Sequence, residues 1–239
     1  CLAFLYAIWT ETLPLKDAFS LRLINWSQEM NYDENGMLLG FLLNYSYQNV
    51  TPPDHYTPEA VAEVVKSAKT PYRVNPDFKP NIVVVMSEAF WDPTLLEGIT
   101  FSEDPLPYFH SLQQEGTAGT LISSVYGGGT ANTEFEVLTG FSTHFLPRGL
   151  VPYVQYVHKP IDALPSILKR QGYEATAIHT YHNWFYRRNY VYRDLGFDKF
   201  ISQEFFDNPE RGGQYIRDTE LSKKILEEIQ ATAKPDFIF

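Results

Sequence analysis

Cysteine is nearly absent from this chain of 239 residues, whose one cysteine is Cys1. An internal disulfide is therefore excluded, and so is a metal site built from several thiolates. Folding does not require an oxidising compartment. A Gram-positive cell exterior, where many proteins lack disulfides, is equally compatible with this composition.

Basic residues are also fewer than acidic ones. The chain has 19 Lys and Arg residues against 29 Asp and Glu residues, a formal net charge of −10, and no stripe rich in basic residues. Nucleic-acid binding depends on Lys and Arg neutralising phosphates. The composition therefore disfavours nucleic acid as a partner.

Long hydrophobic runs are missing as well. Cys1–Trp9 and Met37–Leu43 are apolar, but both are far shorter than the ~20 residues that a membrane-spanning helix needs. The first run has no initiator Met and no basic segment, so it does not resemble a signal peptide. We expect Cys1–Trp9 to be the end of a membrane helix, with an apolar core segment as the alternative. Met37–Leu43 suits an interfacial or packed helix.

The remaining sequence is typical of a folded α/β protein, with 44% hydrophobic and 15% aromatic residues. Thr57 and Pro58 begin a predicted helix, and the proline-rich stretch 71–80 follows it. We therefore expect three regions. Residues 1–55 are the end of a membrane region and a juxtamembrane segment, 56–80 a linker helix and connector, and 81–239 an α/β domain.

Strands alternate with helices in the third region. Ile82–Met86 is an unalternating β-branched run, which predicts a strand buried on both faces of a parallel sheet. Tyr173–Ile178 and Phe237–Phe239 are the next predicted strands, and amphipathic helices cover Ile161–Arg170 and Leu221–Ile229. This alternation predicts a doubly wound, mostly parallel sheet, whose ligands bind beyond the carboxyl ends of the strands.

Ser87 and Glu88 follow the first predicted strand directly. A carboxylate at that position can ligate a divalent cation. The alternative is a helix start, in which Ser87 is the N-cap and Glu88 lies in the first turn.

Three glycines precede Thr130, in the stretch from Gly127 to Phe135. Glycines allow close approach of the backbone to a ligand, and a helix beginning at Thr130 would favour a phosphate or sulfate. The lysine of a P-loop is missing, and a flexible turn with an N-cap is the alternative. A Thr hydroxyl needs a base or a metal to act as a nucleophile, and Glu88 could share that metal with Thr130.

The third cluster, His179–Arg188, follows the second predicted strand. Its imidazole, indole, phenol and guanidinium groups are those that bind a phosphodiester and a polyol. A Tyr- and Arg-rich surface loop is the alternative.

Together these segments resemble the lipoteichoic acid synthase family, the phosphoglycerol transferase branch of the alkaline-phosphatase/sulfatase superfamily. The resemblance rests on Lys79–Val83 leading into Ser87-Glu88, on Thr130 ahead of Asn132–Phe135, and on the third cluster. Two positions differ from the family pattern: Tyr186 stands where a Trp is usual, and Gly-Gly-Gly-Thr replaces Gly-x-Gly-Lys-Thr.

The resemblance implies an alkaline-phosphatase/sulfatase-like fold in which Thr130 is the nucleophile. It implies that Glu88 and Thr130 ligate Mn²⁺ or another divalent metal such as Mg²⁺, and that His179, Tyr186 and Arg188 bind glycerol phosphate. The remaining metal ligands, an adjacent Asp-His pair, are expected beyond residue 239, so that 81–239 is the N-terminal part of the catalytic domain.

The implied partners are a phosphatidylglycerol-like lipid and a polyol or glycolipid acceptor, with membrane helices preceding an extracellular catalytic domain. A sulfatase-like phosphodiesterase, a phosphoethanolamine transferase and an inactive polymer-binding paralogue are the alternatives. A formylglycine sulfatase is excluded, because no Cys or Ser begins a C/S-x-P-x-R motif. Retention of Glu88, Thr130, His179 and Arg188 together argues against an inactive paralogue.

Overall fold

A computed structural model describes residues 24, 28–46, 52, 54–68, 78–87, 90–125, 128–147 and 149–239. The expected end of a membrane helix at Cys1–Trp9 lies outside these residues, and so does Glu88. In the described part of the chain, no helix is both long and apolar enough to cross a membrane.

Helices make up much of the described chain. They are α1 (Gln28–Ser46), α2 (Pro58–Ser67), α3 (Pro107–Glu115), α4 (Thr130–Thr139), α5 (Pro152–Gln155), α6 (Leu164–Arg170), α7 (Arg188–Leu195) and α8 (Asp218–Ala231). Short 3₁₀ turns lie at Pro93–Leu95, Thr143–Phe145, Phe185–Arg187 and Gln203–Phe205.

The main sheet is parallel and has the strand order β1-β6-β2-β3. Its strands are β1 (Ile82–Val83), β2 (Glu174–His179), β3 (Lys199–Ser202) and β6 (Asp236–Ile238). A two-stranded antiparallel hairpin, β4 (Arg211–Gly212) with β5 (Tyr215–Ile216), stands apart from it. The expected mostly parallel α/β fold is confirmed.

The core is centred on β2 and β6. Ala175, Ala177 and Phe237 are fully buried and belong to one apolar cluster, to which α4 contributes Leu138 and α7 contributes Leu195. Small alanines in β2 allow the helices to approach the sheet closely. The carboxyl ends of β2 and β6 are thereby held beside α4.

The expectation that Ile82–Met86 is buried on both faces is wrong. Only Ile82 and Val83 pair, β1 lies at one edge of the described sheet, and Val83 and Val85 are 41% and 66% exposed. The alternate side chains of an extended segment point to opposite faces. Here, one face meets the core and the other meets no layer of described residues.

Two other predicted segments form helices in which several apolar residues are exposed, such as Met37 and Leu38 of α1. In α2, the Thr57 hydroxyl accepts a hydrogen bond from the Ala60 N–H at 3.2 Å, as expected for a cap, yet Val64 and Val65 are exposed. In α1, which includes Met37–Leu43, Gly36 has φ +73° and ψ 164° and interrupts the helix. Glycine adopts this conformation without the steric cost that a Cβ imposes.

Candidate active site

The glycine loop positions Thr130 at the first residue of α4. Gly128 and Gly129 have φ +134° and +81°, values that side chains disfavour, and a Cβ on Gly129 would lie 3.3 Å from Val125 Cγ1. Gly129 therefore turns the chain directly into the helix. The N-terminus of a helix favours negative charge, so this loop orients Thr130 toward a site suited to an anion.

A small cavity of about 110 Å³, here called the inner cavity, lies at the carboxyl ends of the parallel strands. It is lined by Thr130 and Glu134 from α4, His179 at the end of β2, and the segment 84–86 that follows β1. The structure thus brings Thr130 and His179 together, beside the segment that leads to Glu88. This is the position that the parallel-sheet rule predicts for a ligand.

Glu134 and Arg188 form a buried ion pair behind the inner cavity. The Arg188 Nη2 donates to Glu134 Oε1 at 2.6 Å and Nε donates to Oε2 at 3.1 Å, and the Tyr192 hydroxyl donates to Oε2 at 2.9 Å. Burial raises the pKa of Glu134, but the nearby Arg188 charge and its hydrogen bonds outweigh burial and lower that pKa. Glu134 is therefore ionised.

Arg188 is 1% exposed and is not among the described residues that line the inner cavity. Its third nitrogen, Nη1, donates to the Phe185 carbonyl at 3.3 Å. The guanidinium is thus occupied by protein groups at Nε and both Nη atoms. Direct contact of Arg188 with a substrate stays a prediction.

His179 reaches the inner cavity as a neutral side chain. Burial lowers its pKa to about 4, the Arg188 charge acts in the same direction, and Glu134 opposes them. The Tyr181 backbone N–H donates to His179 Nδ1 at 3.1 Å, so Nδ1 carries no proton. The proton of the neutral ring then lies on Nε2, which can donate a hydrogen bond to a ligand oxygen.

Tyr186 and Arg187 adopt left-handed backbone conformations, with φ of +56° and +58°. Such residues cost of order 1–3 kcal/mol each and are held by the surrounding structure, often at functional sites. The turn directs Arg188 toward Glu134, with its Cζ 5.2 Å from the centroid of the Tyr186 ring. Tyr186 itself lines a second and larger cavity.

This second cavity, here called the groove, has a volume of about 1050 Å³ and lies on the other side of α4. Asn132 and Glu136 face it, whereas Thr130 and Glu134 face the inner cavity. Two residues along a helix correspond to a rotation of about 200°, so the two pairs lie on opposite sides. Polar lining residues from the flanking loops are Ser123, Ser124, Ser142, Thr143 and His144.

Sequence reasoning missed the groove, as well as the pairing of Glu134 with Arg188. The spacing of Asn132 and Glu136, four residues apart in a helix with buried apolar neighbours, is the one signal that could have indicated a second polar face. The loops that complete the groove directly precede and follow α4 in the chain, Tyr186 joins them from a distant turn, and none of these loops carries a motif.

Within the described residues, no group of three or more His, Cys, Asp or Glu side chains is placed to hold a metal ion. Glu134 is the one described carboxylate that lines the inner cavity, and it is bound to Arg188. The assignment of Glu88 and Thr130 as metal ligands stays a prediction, because Glu88 lies outside the described residues.

Comparison with known proteins identifies the class. The sulfatase family model matches residues 80–239, two thirds of the chain, and the chain belongs to the sulfatase family. A fold of the alkaline-phosphatase type, expected from the resemblance, is confirmed.

Two proteins similar to this chain come from bacterial cell-envelope pathways by their names. A Rhizobium meliloti protein assigned to cyclic beta-1,2-glucan modification is 39% identical over 228 residues, covering 94% of this chain and 34% of that protein. The lipoteichoic acid synthase of Staphylococcus saprophyticus is 26% identical over 174 residues, covering 71% of this chain and 24% of the synthase. The chain thus spans about a third or less of these relatives.

A solved structure extends the similarity. The Streptococcus pyogenes phosphoglycerol transferase GacH in complex with sn-glycerol-1-phosphate is 25% identical, with a TM-score of 0.59, covering 90% of this chain and 51% of GacH. The resemblance to lipoteichoic acid synthases and phosphoglycerol transferases is confirmed.

Proposed function

We propose that the chain is part of a metal-dependent phosphotransferase that uses Thr130 to move glycerol phosphate from a phosphatidylglycerol-like lipid to a cell-envelope acceptor. The observation that carries the proposal is the convergence of Thr130 and His179 on one cavity at the carboxyl ends of the parallel strands. The similarity to lipoteichoic acid synthase and to GacH supports phosphoglycerol transfer. The similarity to the Rhizobium protein supports a glucan as the acceptor.

The reaction has two steps. The Thr130 hydroxyl oxygen attacks the lipid phosphorus and gives up its proton. The bond from phosphorus to the diacylglycerol oxygen breaks, and the diacylglycerol oxygen takes up one proton as it leaves, so that the proton released by Thr130 balances the one gained by diacylglycerol. An acceptor hydroxyl then attacks the phosphothreonine diester, its proton passes to the Thr130 oxygen, and glycerol phosphate is transferred. The covalent intermediate thus divides one difficult displacement into two easier ones.

Groups of this chain stabilise the charge that develops. The N-terminus of α4 directs positive potential at the phosphoryl oxygens, and His179 Nε2–H donates to one of them or to the glycerol. The buried Arg188 offsets the negative charge of Glu134, which would otherwise repel the phosphate, and Tyr186 packs against the Arg188 guanidinium. These are the roles that we propose for the three substrate-binding residues.

The proposed metal fits the chemistry of the donors in this chain. A Glu carboxylate and a Thr hydroxyl oxygen suit Mn²⁺ or Mg²⁺, and the segment leading to Glu88 lines the same cavity as Thr130. Glu88 and Thr130 would hold the ion. When bound, the metal lowers the effective pKa of the Thr130 hydroxyl and neutralises charge on the phosphoryl oxygens.

Because the donor is a lipid, we propose that the native protein works at a bacterial membrane, with this domain on the extracellular side. The names of the relatives that refer to lipoteichoic acid and to glucan support a role in the cell envelope.

The test compares Thr130→Ala with Thr139→Ala in the native protein. Thr139 ends the same helix, and its hydroxyl donates to the Phe135 carbonyl at 2.6 Å. It is not among the described residues that line either cavity. Release of diacylglycerol from labelled phosphatidylglycerol should fall by several powers of ten in Thr130→Ala and stay near the parental rate in Thr139→Ala. Parental release by a folded Thr130→Ala protein would show that Thr130 is not the nucleophile.

A further inference from the structure

We propose that His110 is a pH-sensitive clasp, which holds residues 90–116 in one conformation while its ring is protonated and releases them when the ring loses a proton. These residues, here called the flap, are all described by the structure and include the 3₁₀ turn Pro93–Leu95 and helix α3. The clasp itself stands on contacts within the flap. Its bearing on the candidate active site rests on the proposed function.

The flap has no apolar core of its own. None of its described residues is buried, and its large apolar side chains Trp91, Leu95 and Tyr108 are exposed. The rings of Phe90 and Phe109 pack on each other, with their centroids 4.8 Å apart. Segments with few buried apolar contacts open locally at a low cost in free energy. The conformation of the flap therefore depends on its polar contacts.

His110 connects two turns of the flap. Its Nε2 lies 3.0 Å from Asp92 Oδ2, and its Nδ1 lies 2.7 Å from Asp104 Oδ2. Asp92 caps the 3₁₀ turn, because its Oδ1 accepts a hydrogen bond from the Thr94 N–H at 2.9 Å. Asp104 Oδ1 accepts from the Leu106 N–H at 2.8 Å, directly before α3. One imidazole thus joins the 3₁₀ turn, the turn before α3 and the helix itself.

Both ring nitrogens of His110 must carry protons to make these contacts. An ionised carboxylate only accepts hydrogen bonds, so each nitrogen that faces one has to donate. The hydrogen bonds with Asp104 and Asp92 accordingly raise the pKa of His110 above its ordinary value of 6.5. Among the described residues, these two carboxylates are the charged groups that act on the ring. A neutral ring would direct a lone pair at one of them, which favours separation.

The raised pKa of His110 sets the direction of the switch. Because the folded chain holds this proton more tightly than an ordinary imidazole does, the clasp is complete below about pH 6.5. It is lost as the pH rises through the raised pKa. Alkaline conditions therefore release the flap, whereas the contribution of His179 is lost on acidification.

The flap lies in the chain between Glu88 and the glycine loop that precedes Thr130. Glu88 and Thr130 are the two residues proposed to hold the metal. Opening the flap changes the segment that connects them, so the clasp is placed to regulate how firmly the metal is held.

The experiment measures hydrogen exchange of the flap in the native protein by mass spectrometry, in steps from about pH 6 to about pH 9.5. Exchange in His110→Gln is divided by parental exchange at the same pH, which cancels the intrinsic pH dependence of exchange. The ratio should be about two- to fivefold at the acidic end, the scale of exposed charge pairs, and should fall toward one at the alkaline end. His144→Gln, at an exposed histidine outside the flap, should give a ratio near one throughout.

Asp92→Asn and Asp104→Asn identify the cause of the pH dependence. Each removes one negative charge, so the pKa of His110, followed by NMR of its ring protons, should fall toward 6.5 in both variants. A parental His110 pKa at or below 6.5 would overturn the clasp. Equal exchange of the flap in the parent and in His110→Gln at every pH would do the same.

The link to the candidate active site has its own measurement. At about pH 6, Mn²⁺ should pass to a chelator about two- to fivefold faster from His110→Gln than from the parent, because the variant opens more often. Equal rates would overturn the regulatory role of the clasp. Failure of the proposed function would appear separately, as parental diacylglycerol release by Thr130→Ala.

Discussion

The carboxylate of Glu134 accepts two hydrogen bonds from the guanidinium of Arg188, 54 residues further along the chain. Both side chains are nearly inaccessible to solvent, with 3% and 1% exposure. The pair joins α4, which begins at Thr130, to the strained turn that carries Tyr186. It therefore couples the position of the proposed nucleophile to one wall of the groove.

Glu134→Ala should destabilise the protein strongly. Removing one partner leaves the Arg188 charge buried without compensation and also deprives the Tyr192 hydroxyl of its acceptor, and such changes typically cost about 3–5 kcal/mol. Urea unfolding followed by circular dichroism gives the free energy of unfolding. A loss below about 1 kcal/mol would mean that the pair contributes little to stability.

The control for this effect is the double variant Glu134→Leu with Arg188→Met. Replacing a whole buried pair by apolar side chains is often far less costly than breaking it. The double variant should therefore be more stable than Glu134→Ala and should lose less than the sum of the two single changes. Additive losses would argue against direct coupling.

The parts of the fold predicted from sequence are those with a local signal. The buried β2 and the glycine-induced start of α4 both follow from short stretches, so the positions of His179 and Thr130 at one sheet edge were predictable. Strand β3 was not, because Lys199–Ser202 has only four residues and becomes a strand through its pairing with β2. Register between distant segments is not encoded locally.

The same distinction applies to the site. The resemblance to the lipoteichoic acid synthase family assigns Arg188 to glycerol-phosphate binding, because Tyr186 and Arg188 match an aromatic-x-Arg motif of that family. Its pairing with Glu134 depends on tertiary packing that brings α4 and α7 together. The exposure of Val83 likewise reflects the edge position of β1, which the composition of the strand does not show. The groove, too, depends on loops that come together only in the folded chain.

His179 should make stability depend on pH in a defined window. Its pKa in the folded protein is lowered to about 4 from an ordinary value of 6.5, so between these values the unfolded chain binds a proton that the folded chain does not. The contribution of neutral His179 to the free energy of unfolding is complete above about pH 6.5 and is lost as the pH falls toward 4. At about 1.4 kcal/mol per pH unit, the loss is roughly 3 kcal/mol.

The measurement is urea unfolding at several pH values between 4 and 7, in the presence of a chelator. His179→Gln should remove this part of the pH dependence, whereas His144→Gln, at an exposed groove residue, should retain it. A constant difference in the free energy of unfolding between parent and His179→Gln at every pH would contradict a neutral His179.

Glu88→Ala should reduce binding of a divalent metal without unfolding the protein. Glu88 is proposed to supply charge and an oxygen ligand, and Ser87, which can cap a helix, is left in place. Glu97, an exposed carboxylate, provides the matched control as Glu97→Ala. Mn²⁺ content after dialysis should fall only in the first variant, and equal content in both would remove Glu88 from the ligand set.

Arg188→Lys tests whether the guanidinium is needed in addition to its charge. Lysine keeps the positive charge but lacks the planar fork that makes two parallel hydrogen bonds to Glu134. Loss of one charge-assisted hydrogen bond is worth about 1.5–3 kcal/mol, so kcat/KM on a glycerol-phosphate lipid should fall roughly 10- to 100-fold.

Arg187→Lys is the control. Arg187 is the charged residue next to Arg188 in the same turn, but it donates from Nη1 to His158 Nδ1 at 2.8 Å and does not pair with Glu134. Its kcat/KM should stay close to the parental value. Assays should be run well below the unfolding temperature of each variant, because Arg188→Lys also weakens a buried pair and a lower folded fraction would imitate a lower kcat/KM.

A further variant, Glu134→Gln, separates two roles of Arg188. Since the guanidinium holds the turn that carries Tyr186, a role in positioning predicts that Glu134→Gln lowers kcat/KM as Arg188→Lys does. Direct contact with phosphate predicts a much smaller effect for Glu134→Gln, and equal kcat/KM values for the two Lys variants would eliminate both roles.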